Sequence, residues 1–203
     1  MNYFVTAIST DSGKTLVSSI LCEALEADYW KPVQAGPPRD SEMVQNLISN
    51  KRTIIYPEAY LLQTPASPHA AAKKEKIEIK LNNFIFPETR NDLVIEGAGG
   101  CLVPLNTNDF VIDIAIKFQA EVVLVSNLYL GSINHTLLTC EALLKRNVTL
   151  KGIIFNGESN SDSEQIILHH SKLKCLLRIN REEKITKALI RSYADILISK
   201  WND

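Results

Sequence analysis

The stretch VTAISTDSGKTLVSSI, at residues 5–20, constrains the fold of this chain more than any other. Residues 3–7 form an apolar, strand-like run, a loop follows that ends in Gly13-Lys14-Thr15, and residues 14–25 carry the spacing of an amphipathic helix. A strand, a loop and a helix in that order leave a row of unpaired backbone N–H groups at the start of the helix. The positive end of the helix dipole lies at the same place, which suits a phosphate. Lys14 adds a point charge, Thr15 offers a hydroxyl oxygen to a divalent cation, and Gly13 lets the backbone approach the anion closely. Ala7 stands where such loops commonly begin with glycine, which weakens the pattern but leaves the helix start, Lys14 and Thr15 in place. The competing reading is a plain strand–turn–helix with a solvated lysine.

The rest of the chain keeps the same alternation. Strands are expected at residues 29–32, 92–95, 121–126 and 151–155, the second closed by a glycine-rich turn at Gly97-Ala98-Gly99-Gly100. Helices are expected at 41–47, at 109–118 with Asp109 as a possible cap, and at 133–146, 163–171 and 182–199. The last places Ile185, Leu189, Ile190, Tyr193, Ile196 and Leu197 near one face. Continuous apolar strands between helices imply an α/β fold with a mainly parallel sheet and helices on both faces. No repeat or linker breaks the sequence, so residues 1–203 read as a single domain. Residues 57–87, proline-rich and then charged, read as a long surface excursion.

Composition removes several function classes. A formal net charge of -1 gives no electrostatic case for nucleic acid. No apolar stretch is long enough for a membrane span, and the strand-like run at Tyr3 leaves no room for a leader. The four cysteines, Cys22, Cys101, Cys140 and Cys175, contain no Cys-x-x-Cys pair, which argues against zinc and against a disulfide framework. A reducing, cytoplasmic setting is expected. The histidines form no metal pattern: His69 and His135 are given structural or orienting roles, and His169 and His170 are expected to face solvent.

Chemically useful residues recur where strands should end. YWKPVQAG carries Lys31, RDSEMVQ carries Asp40, LVIEGAGG carries Glu96, YLGSINHTLLT follows a strand and opens a helix, and GIIFNG ends in Asn156-Gly157. In open α/β sheets, ligands bind outside the carboxyl ends of the strands. Together with TPASPHAAA at residues 64–72, this set resembles the ATP-dependent dethiobiotin synthetase family of the P-loop NTPase superfamily. The likeness runs from Tyr3 to about Asn156 and fades beyond it, where a base-flanking loop near residues 177–183 is faint.

The resemblance implies a reaction and a set of roles. The family closes a cyclic urea on 7,8-diaminononanoate with ATP, CO2 and Mg2+, through a carbamate and a carbamic-phosphoric anhydride. It implies catalytic roles for Lys14 and Lys31, the first at the transferring phosphoryl group and the second at the carbamate and γ-phosphate. It implies nucleotide contacts from Asp11, Ser12, Gly13, Lys14, Thr15 and Leu16, from Asp40, Glu96, Gly97, Ala98 and Gly99, and from Asn156 and Gly157. The metal ligands would be Thr15, Asp40 and Glu96, and Thr10, Asp11 and Lys31 would meet the diamine. Ser132, Ile133 and Asn134 would hold its tail carboxylate from the second subunit of a homodimer.

Plainer readings compete residue by residue: a snorkelling lysine at Lys31, a helix cap at Asp40, an Asx turn at Asn156-Gly157. Ala35 and Gly157 depart from the family pattern. A partitioning-type ATPase is the alternative from the same superclass, but it would carry a second lysine where Ser9 stands. A non-catalytic nucleotide-binding subunit would have no need of Lys31, Glu96 and the 131–135 segment together. Lys14→Ala and Lys31→Ala are expected to abolish turnover with little loss of stability.

Overall fold

A computed structural model describes residues 1–201. Its centre is β1 (Asn2–Ala7), which pairs in parallel with β6 (Leu93–Gly100) on one side and β7 (Glu121–Asn127) on the other. Outward from β6 come β2 (Asp28–Trp30) and the short β4 (Ile55–Tyr56). Outward from β7 come β8 (Leu150–Asn156) and β9 (Cys175–Ile179). The seven-stranded sheet is therefore ordered β4-β2-β6-β1-β7-β8-β9, with all its strand pairs parallel.

The strands divide their side chains between two apolar layers, as a period of two requires. On β1, Tyr3, Val5 and Ala7 face one core and Phe4 the other. The first core lies under α1 (Lys14–Leu25) and α7 (Lys187–Ile198), through Val17, Ile20 and Leu21 of one helix and Ile190, Tyr193 and Leu197 of the other. The opposite face is covered by α4 (Val111–Lys117), α5 (Ser132–Leu144) and α6 (Ser161–Ser171). This is the expected mainly parallel sheet between helical layers. Among the described residues no helix is long and apolar enough to cross a membrane.

Several local expectations are corrected. The glycines 97–100 do not turn the chain but extend β6, and a Cβ at Gly97 would press on the Phe4 ring and Val111. Strand β2 stops at Trp30 because Pro32 has no N–H for the ladder, while its carbonyl accepts from Tyr60 N. Helix α4 starts at Val111, and Asp113, not Asp109, reaches back to accept from the Phe110 backbone N–H at 2.7 Å. Residues 182–186 stay outside α7, whose cap is Thr186 accepting from Leu189 N. Ile185 therefore precedes the helix, and Ile196 on it is 46% exposed. Strand β9 was not expected: five residues at the sheet edge, bracketed by charged neighbours, carry little periodicity.

The excursion at 57–87 is more structured than its composition implies. After Lys31-Pro32 the chain forms β3 (Val33–Ala35), which pairs in parallel with β5 (Tyr60–Leu62) as a second, two-stranded sheet. Helix α3 (Pro68–Glu75), with proline in its first turn, follows. Between them, α2 (Asp40–Leu47) begins at the carboxyl end of the main sheet.

Candidate active site

The loop between β1 and α1 is wound by its own side chains. Ser9 Oγ and Ser12 Oγ are 2.9 Å apart, and Ser12 Oγ also donates to the Ser9 carbonyl. Asp11 and Gly13 both take left-handed backbone conformations, with φ of 57° and 97°. Lys14 is only 7% exposed, and its Nζ reaches the Ser9 carbonyl at 3.3 Å. Among the described residues it has no ion-pair partner. Burial, and then the nearby Lys31, pull its pKa below the ordinary lysine value. The loop thus holds a cation short of negative charge, beside free helix N–H groups. Ala7 is fully buried and pairs with both neighbouring strands, so the departure from glycine costs no contact here.

Facing Lys14 is a second, paired cation. Lys31 follows β2 by one residue and Glu96 lies on β6; the adjoining Trp30 and Ile95 are register partners. Lys31 Nζ lies 2.6 Å from Asp40 Oδ2, 3.0 Å from Glu96 Oε1 and 3.0 Å from the Gly97 carbonyl. Burial pulls the lysine down, but Glu96 and Asp40 outweigh it and leave the pKa above its ordinary value. The side chain is buried and engaged, so it does not snorkel. Thr15 Oγ1 donates to Glu96 Oε1 at 3.0 Å, and Tyr29 OH donates to Glu96 Oε2 at 2.9 Å.

Asp40 is placed from both sides. It is the first residue of α2, and Arg39 occupies the cap position, so Asp40 is not a helix cap. Its backbone N–H donates to Gln34 Oε1 at 3.2 Å. Its two neighbours are tied to Glu58, which accepts from Arg39 Nη2 at 2.5 Å and Ser41 Oγ at 2.6 Å. Burial pushes the Glu58 carboxyl upward, but these hydrogen bonds prevail and hold it below the usual value.

Lys14, Thr15, Lys31, Asp40 and Glu96 line a cleft of about 850 Å³. Thr10, Asp11, Gly13 and Leu16 border it on the loop side, Ala98 and Gly99 on the β6 side, and Ala35 on the far wall. Ser12 is buried inside the loop, and Gly97 contributes the carbonyl that holds Lys31. Asn156 lies behind the loop: its Nδ2 donates to the Ser12 carbonyl at 2.9 Å and stands where a side chain on Gly13 would be. The amide braces the loop and makes no Asx turn. Gly157 has open space where a side chain would stand. Ser132, Ile133 and Asn134 open α5 after the left-handed Gly131 and do not line this cleft. His169 and His170 are exposed, as expected, and His135 Nδ1 lies 2.7 Å from Tyr129 OH.

The donor set suits a hard divalent cation. Thr15, Asp40 and Glu96 bring one hydroxyl and two carboxylates around the single Lys31 ammonium. Among the described residues no three His, Cys, Asp or Glu side chains converge into a cage. Such a cation would complete its shell with phosphate oxygens and water, as Mg2+ usually does.

A family model described as an AAA domain matches residues 1–188. The ATP-dependent dethiobiotin synthetase BioD of Cytophaga hutchinsonii is 58% identical over 201 residues, covering 98% of both chains. That of Christiangramia forsetii is 47% identical over 196 residues, covering 96% of this chain and 94% of its own. This chain belongs to the dethiobiotin synthetase family. Solved structures extend the likeness to the fold alone. A ParA family ATPase from Chlorobium tepidum superposes with a TM-score of 0.58 at 9% identity, covering 98% of this chain and 95% of that one. The septum site-determining protein MinD of Pyrococcus horikoshii, complexed with Mg-ADP, gives 0.55 at 14% identity, covering 99% and 93%.

Three residues that shape this dethiobiotin synthetase site were not singled out in the sequence: Tyr29, Gln34 and Glu58. The first two sit in the Lys31 motif, where a buried polar residue beside a lysine is a readable signal. Glu58 stands alone in the irregular segment, and nothing local marks it.

The geometry also separates the two lysines in stability. Removing Lys31 leaves Glu96 and Asp40 without their counter-charge, and breaking a buried pair this way costs about 3–5 kcal/mol. Removing Lys14 takes away a buried cation with no carboxylate partner. Lys31→Ala should therefore unfold at clearly lower urea than the wild type, while Lys14→Met should match or exceed it. Equal midpoints for the two variants would contradict this account.

Proposed function

We propose that this chain carboxylates 7,8-diaminononanoate with CO2 and closes it to dethiobiotin, converting ATP to ADP and phosphate. The observation that carries the reading is Lys31, an ammonium buried between Glu96 and Asp40 on the wall of the phosphate cleft. One amine of the diamine attacks CO2; a C–N bond forms, the amine loses a proton, and a carbamate anion results. A carbamate oxygen then attacks the γ-phosphorus, and ADP leaves with the electrons of the broken P–O bond. The second amine attacks the carbonyl carbon of the mixed anhydride, loses its proton, and expels phosphate as the ring closes. Negative charge gathers on the carbamate and on the transferring phosphoryl group, so fixed cations are the protein's main lever. Lys31 orients the carbamate and the γ-phosphate, and Lys14 draws on the phosphoryl oxygens.

Thr15, Asp40 and Glu96 would hold Mg2+, which supplies positive charge to the β- and γ-phosphates when bound. Thr10 and Asp11, on the cleft side of the loop, suit an amine-bearing substrate. Asn156 has its Nδ2 committed to Ser12, which leaves Oδ1 as an acceptor for an exocyclic amine on the nucleotide base. Ser12, Leu16, Gly97, Ala98, Gly99 and Gly157 complete the nucleotide side of this reading.

The tail carboxylate of the diamine is assigned to the N–H groups at Ser132, Ile133 and Asn134 of a second copy, which makes the working enzyme a homodimer. The fully exposed Leu130 and the half-exposed Tyr129 before this helix start support an interface there. We place the enzyme in the cytoplasm, in keeping with four unpaired cysteines. Residues 1–203 are read as one domain, with no nucleic-acid or membrane partner.

Phosphate release from ATP and magnesium should depend on both diaminononanoate and bicarbonate; release that ignores the diamine would point to a switch ATPase instead. For the shared site, Lys14→Ala and Asn134→Asp should each be inactive, the latter by repelling the tail carboxylate. Mixing and refolding the two should restore turnover, because one site of the mixed dimer is then intact. No recovery on mixing would rule out a site built from two subunits.

A further inference from the structure

Strand β2 presents Tyr29 on one side and Trp30 on the other, and Lys31 follows it directly. Trp30 packs edge-on against Phe84 and Phe118, whereas Tyr29 belongs to the core beneath α1. Tyr29 is fully buried, and its hydroxyl donates to Glu96 Oε2 at 2.9 Å. The other carboxylate oxygen, Oε1, receives Thr15 and Lys31, each at 3.0 Å. Glu96 is thus divided: one oxygen is fastened from the core side, the other is offered to the cleft. A carboxylate without that fastening turns about its terminal torsion, which is broad. It could then present either oxygen, or both, to a cation.

We propose that Tyr29 is the positioning residue for Glu96, fixing the carboxylate so that Oε1 alone serves Lys31, Thr15 and the divalent cation. The inference rests on the nucleotide–cation reading of the cleft. Tyr29 touches neither nucleotide nor metal in this role and works only through Glu96. Removing a group that orients a metal's carboxylate typically weakens metal affinity about 10–100-fold.

Calorimetric titration with a non-hydrolysable ATP analogue tests this, with magnesium varied and with a chelator present. Tyr29→Phe should bind the analogue as the wild type does in chelator, yet need roughly tenfold more magnesium for half its metal-dependent gain. Glu96→Gln should lose most of that gain, and Tyr29→Phe/Glu96→Gln should add nothing further. If Tyr29→Phe fails to fold, the comparison of Glu96→Gln with the double variant still decides, because the carboxylate left without a partner is then gone. Wild-type magnesium dependence in Tyr29→Phe, equal weakening with and without magnesium, or a double variant weaker than Glu96→Gln would each overturn the proposal. A wild-type protein whose analogue binding ignores magnesium would instead overturn the reading of the cleft on which it rests.

Discussion

One buried ammonium between two carboxylates organises this end of the molecule. Lys31 is brought by the end of β2, Glu96 by β6, and Asp40 by the first turn of α2. Taking these charges out of water is unfavourable unless each finds its partner and its remaining hydrogen bonds. That requirement fixes more than the three residues. It needs β2 and β6 in their observed register, it needs the 57–62 segment close enough for Glu58 to hold Arg39 and Ser41, and it needs Gln34 on the Asp40 backbone.

The two lysines divide the electrostatic work by having opposite surroundings. Lys14 is buried with a carbonyl for company, and its proton is held less tightly than usual. Lys31 is fully paired and keeps its charge. An incoming triphosphate offers Lys14 the anion it lacks. Lys31 is already neutralised, and on the proposed reading a cation held by Glu96 Oε1 and Asp40 would free its ammonium for a second anion. On that reading, phosphate binding and metal binding would be coupled through these two carboxylates.

Much of this was legible in the sequence. The Gly13-Lys14-Thr15 loop and its helix were read with the boundaries the structure has, because strand, loop and cation leave strong local signals. Asp40 and Glu96 were named together as metal ligands and Lys31 apart from them, and the structure places the Lys31 ammonium between the two carboxylates. What was not legible is whatever depends on contacts distant in sequence. Glu58, next to β5, accepts from Arg39 beyond β3, and residues 57–87 looked irregular because the strand they contribute, β5, is three residues long and pairs with β3 outside the segment. Glycines 97–100 suggested a turn, yet close packing against Phe4 explains Gly97 within an extended strand. The expectation for Lys31→Ala changes for the same reason: the partners that lead the structure to predict a loss of stability, Glu96 and Asp40, are not placed by sequence spacing.

The most direct test is a crystal structure with a non-hydrolysable ATP analogue, magnesium and the diamine soaked in bicarbonate. The account predicts the Lys31 ammonium in contact with both the γ-phosphate and the carbamate formed on the diamine, with Glu96 Oε1 and Asp40 on the metal and Glu96 Oε2 still held by Tyr29. A nucleotide seated on residues 10–15 with Lys31 still locked to Glu96 and Asp40, out of reach of both anions, would contradict it.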